Sequence, residues 1–453
     1  MKNQIKKATS INLLNFKTPQ MRAFHLSWLA FFLCFFGWFG IAPLMAVVRE
    51  ELELTKSQIG NIIISSVAIT VIARLFIGWL CDRIGPRITY TYLLIIGAFP
   101  VMLIGLSNSY ESFLIFRLAI GAIGASFVIT QYHTSMMFAP NVVGTANATS
   151  AGWGNLGGGV TQMVMPMIFA MFVGLGFLDK DAWRYAMVVP GLAMVICGIL
   201  YYRLTTDFPE GNLKDLLKTD PSFLKKKNDS KGAFKAALKD KRVWALFMIY
   251  GACFGVELTI NNIAAIYYHD FFKLDLKTAG LIAGLFGLMN IFARSMGGFF
   301  GDRAGIKWGL KGRVYLMGGI LFFEGLALML FSQMTFLPFA IASMIVFSLF
   351  VQMAEGATYS VVPFVNKKAI GIVSGIVGAG GNAGAVMAGF LFKMENVSYS
   401  EGLAILGVCV TVVSGLSLLV RFSEKDEKIA ELELQNSLDE KSLELVPVYE
   451  MEK

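Results

Sequence analysis

The sequence predicts an all-α polytopic membrane protein, twelve transmembrane helices in two pseudo-symmetric six-helix bundles, and three observations lead there. The 453 residues are 56% hydrophobic and only 15% charged, with 38 Phe and a mean hydropathy of +0.62, too little charge to clothe a water-facing surface. Apolar stretches long enough to cross a bilayer core recur twelve times, separated by short polar joints. The second half of the chain also repeats motifs of the first in register.

The apolar cores fall at about residues 24–48, 57–80, 88–106, 111–136, 145–173 and 184–203, then 243–267, 277–300, 314–334, 336–360, 369–392 and 401–421. One feature inside the fifth core competes with this assignment. The stretch AGWGNLGGGVTQ (151–162) contains G-x-G-x-x-G in Gly152, Gly154 and Gly157, with Asp179 about twenty residues on. A dinucleotide loop needs a strand before it and a helix opening after it. Here there is no strand pattern, and continuous apolar sequence follows. The glycines read instead as a close-packing band on a membrane helix.

Lys and Arg in the loops set the orientation. Lys2, Lys6, Lys7, Lys17 and Arg22 precede the first core with no acid among them, and alternation brings DRIGPR, NKK and the long central loop to the same side. That side is expected to be cytoplasmic, with both termini on it and the protein in the cell membrane. The first core is too long for a signal peptide and lacks a small-residue cleavage site. The predicted organisation is a six-helix bundle over 1–203, a Lys-rich linker over 204–242, a second bundle over 243–421 and an acidic tail over 422–453. The linker's charge is that of a positive-inside loop rather than a nucleic-acid site, and no nucleic-acid partner is expected.

The repeat is visible in ARLFIGWLCDRIGPR, from Ala73, and ARSMGGFFGDRAGIK, from Ala293. The glycine band also has a copy, GIVGAGGNAGAVMAG from Gly375, in which Gly381, Asn382 and Gly384 match Gly154, Asn155 and Gly157. Six plus six spans with parallel repeats is a transporter layout whose substrate binds near the midplane between the halves.

On these motifs the sequence resembles a known family. The segment Gly78–Arg87, G-x-x-x-D-R-x-G-x-R, resembles the loop signature of the major facilitator superfamily, and RLAIGAIG from Arg117 its fourth-span motif. Paired Gly-Asn segments in spans five and eleven, with an arginine in the second span of each half, resemble the nitrate/nitrite porters. YGACFGVELTINN from Tyr250 is similar to the seventh span of their high-affinity nitrate uptake branch. The resemblance implies a gating loop built from Gly78, Asp82, Arg83 and Arg87, with Asp302 and Arg303 as the second copy. It also implies aromatic pocket residues Phe127, Tyr250 and Phe254, each of which could equally serve packing alone.

The arginines carry chemistry independent of the resemblance. Arg74 precedes Asp82 by eight residues, which at 1.5 Å per residue puts it about 12 Å up the helix, near mid-bilayer, and Arg294 lies at the matching depth. A charged arginine at a helix centre costs about 2.5–3.5 kcal/mol even on lenient scales. Spans two and eight contain no acid at mid-depth, so the expected counter-charge is a substrate anion rather than an ordinary ion pair. Guanidinium presents paired planar donors that match a planar oxyanion such as nitrate or nitrite. Asn155 and Asn382 offer further amide donors, to ligand or to a neighbouring helix, and Gly154 and Gly381 leave room for a very small ligand.

An inside-negative potential opposes a monovalent anion by about 2.3 kcal/mol per 100 mV, so uptake needs coupling. Symport with two or more protons and exchange against nitrite both satisfy this. Glu257, on the Tyr250 face of the seventh span, is the candidate proton carrier, with a structural hydrogen bond as its alternative role. Glu324, Glu355 and His133 are weaker candidates, and His25 and His269 sit too near span ends to interpret. The five cysteines are scattered singly, so no metal or cofactor is expected. The expectation is a monomeric transporter of nitrate and nitrite, working with protons in a lipid bilayer and without a recognisable accessory subunit. A transporter-like anion sensor and a membrane redox subunit are the rival classes.

Overall fold

The computed structural model describes residues 7–138, 143–219, 236–366 and 370–432. Lys2 and Lys6, residues 220–235 of the linker, Lys367 and Lys368, the tail beyond 432 and the Asp82 side chain lie outside the described residues. Among the described residues the secondary structure is helical, apart from isolated bridges at Ala8–Phe138 and Phe208–Gly211.

The first six spans are α1 (Pro19–Glu51), α2 (Lys56–Ile84), α3 (Pro86–Leu106), α4 (Tyr110–Met137), α5 (Val143–Gly174) and α6 (Asp179–Leu204). They are followed by α7 (Lys241–Phe272). A 57-residue stretch, Leu276–Ser332, holds two crossings, because Gly309 (φ 68°) breaks it into α8 (276–308) and α9 (310–332). The chain then forms α10 (Leu337–Val361), α11 (Ile370–Lys393) and α12 (Tyr399–Leu419).

Short polar joints start these helices where the sequence supplies caps. Thr18 accepts from the Met21 amide ahead of Pro19, and Thr55–Gln58 and Ser398–Glu401 form capping boxes. The polarity is sorted for a bilayer. Ile72, Phe76, Phe99, Leu192, Phe323 and Val412 face outward, whereas Arg74, Asn155, Glu257, Arg294, Glu355 and Asn382 are buried.

Within each group of six, α1 packs on α5 and α7 on α11, the helices that carry the two glycine bands. Across the groups, α2 packs on α11 and α5 on α8. The α5–α8 approach is backbone to backbone: a Cβ on Gly159 would lie 2.6 Å from Gly287 Cα. Further bonds tie the groups at the end bearing loops 52–55, 273–275 and 394–398. Arg49 pairs with Asp270 through two bonds of 2.6 and 3.1 Å. Lys56 donates to the Met394 carbonyl at 2.9 Å and to that of Val397. Deeper in, Gln162 donates to the Asn261 carbonyl (2.6 Å), and Arg117 donates to the Trp38 carbonyl (2.8 Å) and to Asn262 (3.3 Å).

At the opposite end, Asp207 accepts from the Arg87 and Leu213 amides at 2.8 and 2.9 Å, sitting against Gly85 (φ 87°), where a Cβ would strike its carboxylate. Burial pushes the Asp207 carboxyl above its usual range, while the two backbone donors and the Arg87 charge pull it down. Arg87 also donates to the Tyr202 carbonyl (2.8 Å) and stacks on that ring, and Arg83 lies over Trp79. In the second copy Asp302 accepts from Arg313 at 2.6 Å, and Arg303 lies over Phe299. Gly78 has more space around it, since a Cβ there would come no nearer than 3.7 Å to the Val128 side chain.

Candidate functional site

Arg74 and Arg294 both reach the stacked Tyr250–Phe254 rings of α7, Arg74 over Phe254 and Arg294 through the Tyr250 hydroxyl. Their surroundings differ. The Arg74 guanidinium lies 5.4 Å from the Phe127 ring centroid and 5.7 Å from that of Phe254, one ring from α4 and one from α7. One nitrogen donates to the Gly378 carbonyl of α11 at 2.8 Å. Its Nε and other terminal nitrogen are buried without a partner. A buried donor left unsatisfied is expensive, so this edge of the guanidinium is prepared for an acceptor.

Arg294 has its acceptor within the protein. It forms an ion pair with Glu355 of α10 and donates to the Tyr250 hydroxyl at 2.9 Å. The expectation of an anion as its counter-charge is therefore corrected. Spans two and eight lack an acid at mid-depth, but α10 brings one to Arg294 from sixty-one residues away. Arg294 also follows a tight 3₁₀ turn at Met289–Ile291, which brings Asn290 and Arg294 to one side of α8.

The two asparagines of the glycine bands have separated roles. Asn155 donates to Glu257 at 3.4 Å, an interhelical bond that crosses between the groups. Asn382 is fully buried, and neither of its amide atoms has a partner. The glycines beside them do not open ligand space. A Cβ on Gly154 would fall 1.9 Å from the Phe31 ring, and one on Gly381 would fall 2.3 Å from the Phe254 ring. These positions admit aromatic rings from α1 and α7, and the expectation of room for a ligand at the glycines themselves is corrected. Tyr250 stacks on Phe254 at 5.2 Å, and Phe127 lies 5.8 Å from Phe31.

Glu257 accepts from Asn290 at 2.9 Å as well as from Asn155, and it is fully buried. Tyr359, which the motifs do not single out, lies between the arginine surroundings: 5.0 Å from Tyr250, 6.4 Å from Phe127, with its hydroxyl donating to the Ser374 carbonyl. The available signal was its spacing, four residues after Glu355 on one helix face. His133 is held in a buried network away from this site, 2.5 Å from the Tyr201 hydroxyl and 2.8 Å from the Thr206 carbonyl. His25 accepts from Trp28, and His269 bonds the Leu274 carbonyl at a helix end. No group of residues suited to hold a metal ion occurs among the described residues. The cysteines are single, four buried and Cys409 exposed.

A buried pair of arginines between two helical groups, one with unused donors, defines a membrane transporter of the superfamily that the helix order describes. The profile of the Major Facilitator Superfamily matches residues 27–389, and the chain belongs to that family, whose members are transporters rather than enzymes. Within it the chain belongs with the nitrate/nitrite porters and their high-affinity nitrate branch. It is 40% identical over 419 residues to "High affinity nitrate transporter 2.5" of Arabidopsis thaliana, covering 92% of this chain and 83% of the relative. It is 30% identical over 448 residues to "Nitrate/nitrite transporter NrtP" of a Picosynechococcus strain, covering 80% and 83% respectively. The fold matches a bacterial homologue of the human lysosomal transporter Spinster in an inward-facing, occupied conformation. The TM-score is 0.68 at 15% identity, over 90% of this chain and 98% of the other.

Proposed function

We propose that this protein imports nitrate, and nitrite as a second substrate, by alternating access of the bundles 1–203 and 243–421 in symport with protons. The observation that carries the reading is Arg74: a buried guanidinium with two unused nitrogens beside the Phe127 and Phe254 rings. A small planar anion satisfies those donors, and the neighbouring rings suit its flat shape. Arg294, Tyr250 and Asn382 complete the binding group, while Phe127 and Phe254 wall it. Asn155 contributes through Glu257, and Gly154 and Gly381 by seating the aromatic rings. The names of the relatives support nitrate as the anion.

The cross-group bonds from Arg49, Lys56, Arg117 and Gln162 hold one end of the molecule together. With the basic loops assigned to the cytoplasm, this is the external end, and the arrangement is inward-facing. The protein then sits in the cell membrane with both termini inside, and acts as a monomer. The loop motif of Gly78, Asp82, Arg83 and Arg87 and its copy at Asp302 and Arg303 set the cytoplasmic gate.

Proteoliposomes free of internal anion test the coupling. External acidification is expected to drive nitrate accumulation with net inward positive charge. Uptake that requires internal nitrite and ignores the pH gradient would establish exchange instead.

A further inference from the structure

The binding group uses Arg74 and Arg294 but leaves an unusual contact behind them. Glu355 is paired with Arg294, and Glu257 accepts from Asn290 one turn earlier on α8, which puts two fully buried carboxyl groups against one side of that helix. The pair is also wired in both directions. Glu257 accepts from Asn155 on the opposite bundle and from Asn290, one turn before Arg294 on α8. Glu355 grips the guanidinium that the nitrate is proposed to share.

We propose that Glu257 and Glu355 form a single proton-carrying site, and that Arg294 couples its occupancy to nitrate. This rests on the nitrate reading above and identifies the residues of its proton arm. With neither nitrate nor protons bound, two arginines balance two glutamates. Nitrate drawn onto Arg294 competes with Glu355 for the same donors, and the released carboxylate takes a proton from the open side. Glu257 accepts a second. The loaded site then carries two protons and one nitrate, so one positive charge moves inward per cycle. After nitrate leaves, Arg294 recaptures Glu355 and expels the protons to the cytosol. No bond other than O–H is made or broken.

The groups that face this pair are Arg294 from α8, Tyr250 and Cys253 from α7, Glu324 from α9 and, on α10 itself, Tyr359. Arg294 is the only cation among them, which is why its partner choice governs the pair. The opposite bundle presents Asn155, whose bond to Glu257 places the proton site on the interface that must open.

The test measures protons directly. Purified wild-type protein in weakly buffered detergent, mixed with nitrate beside a pH-indicator dye, is expected to take up about one to two protons per nitrate bound near neutral pH. Nitrate affinity is expected to rise as pH falls. Glu355→Gln is expected to bind nitrate at least as tightly as wild type, with affinity independent of pH and no proton uptake, and to lose acid-driven accumulation while retaining nitrate counterflow. Glu257→Gln is expected to lose at least half of the proton uptake. Nitrate binding without proton uptake at any pH between about 5 and 8 in the wild type, or a wild-type pH dependence in Glu355→Gln, overturns the proposal. Failure of the wild type to bind nitrate overturns the substrate reading instead. The wild-type dye measurement decides the matter even where a variant does not fold.

Discussion

Arg74 and Arg294 occupy equivalent places in the repeat, each opening an A-R segment four residues before a glycine, yet the molecule treats them differently. Arg74 sits in the middle of the continuous helix α2, holds one backbone carbonyl and keeps two nitrogens unpaired near the Phe127 and Phe254 rings. Arg294 follows a 3₁₀ turn and is committed to Glu355 and Tyr250. Internal duplication gives both arginines matching positions along their helices, whereas each half has acquired its own neighbours for them. One arginine keeps unpaired donors and the other is tied to a buried carboxyl group.

Removing each charge breaks the comparison most sharply. Arg294→Ala leaves Glu355 buried without its cation and is expected to cost about 3–5 kcal/mol in stability, read as a lowered thermal unfolding midpoint in detergent. Arg74→Ala deletes a charge with no acidic partner, and its midpoint is expected to stay within about 1 kcal/mol of wild type. Equal losses would show that the two sites are energetically alike.

Lysine keeps the charge and discards the planar fork. Arg74→Lys is expected to weaken nitrate binding by about 1.5–3 kcal/mol, roughly 10–150-fold in Kd. Arg294→Lys is expected to impair transport severely as well, and in addition to change how nitrate binding responds to pH. Calorimetric titration of both variants at two pH values separates these outcomes, and near-normal uptake in either would remove that arginine from direct coordination.

The paired asparagines provide a finer contrast. Asn382→Ala removes an unpartnered buried amide and is expected to raise the nitrate Kd by about 0.5–1.5 kcal/mol, roughly 2- to 12-fold. Asn155→Ala should leave affinity at a fixed pH nearly unchanged and shift its pH dependence through Glu257. The smallest effect belongs to Glu324, whose two carboxyl oxygens have no partner. Glu324→Gln breaks no contact and is expected to change both uptake and unfolding by less than about 0.5 kcal/mol.

Much of the site was legible in the chain because its signals are local. Arg74 and Arg294 are anomalies against apolar surroundings, the Gly-Asn segments recur as a pair, and Phe127, Tyr250 and Phe254 came through family resemblance. The reading of Asn155 and Glu257 left a structural hydrogen bond open for each, and the bond they make is with one another. Tyr359 and Asn290 were missed, since a tyrosine or asparagine in a membrane helix carries no mark of which face it shares with an arginine elsewhere. Glu355 was noticed only as a weak proton candidate, because its importance lies in its partner.

The chain alone is enough for the number and approximate limits of the spans, the duplication and the matching positions of both arginines along their helices. Each depends on composition or spacing along a single helix, where 1.5 Å per residue converts position into height. Helix packing settles that Glu355 neutralises Arg294, that aromatic rings fill the places beside Gly154 and Gly381, and that Arg74 keeps donors to spare. Those outcomes depend on the rotation of α7, α8, α10 and α11 about their axes and on which faces meet. Helix rotation in a bilayer is set by packing against neighbours, which no stretch of sequence encodes alone.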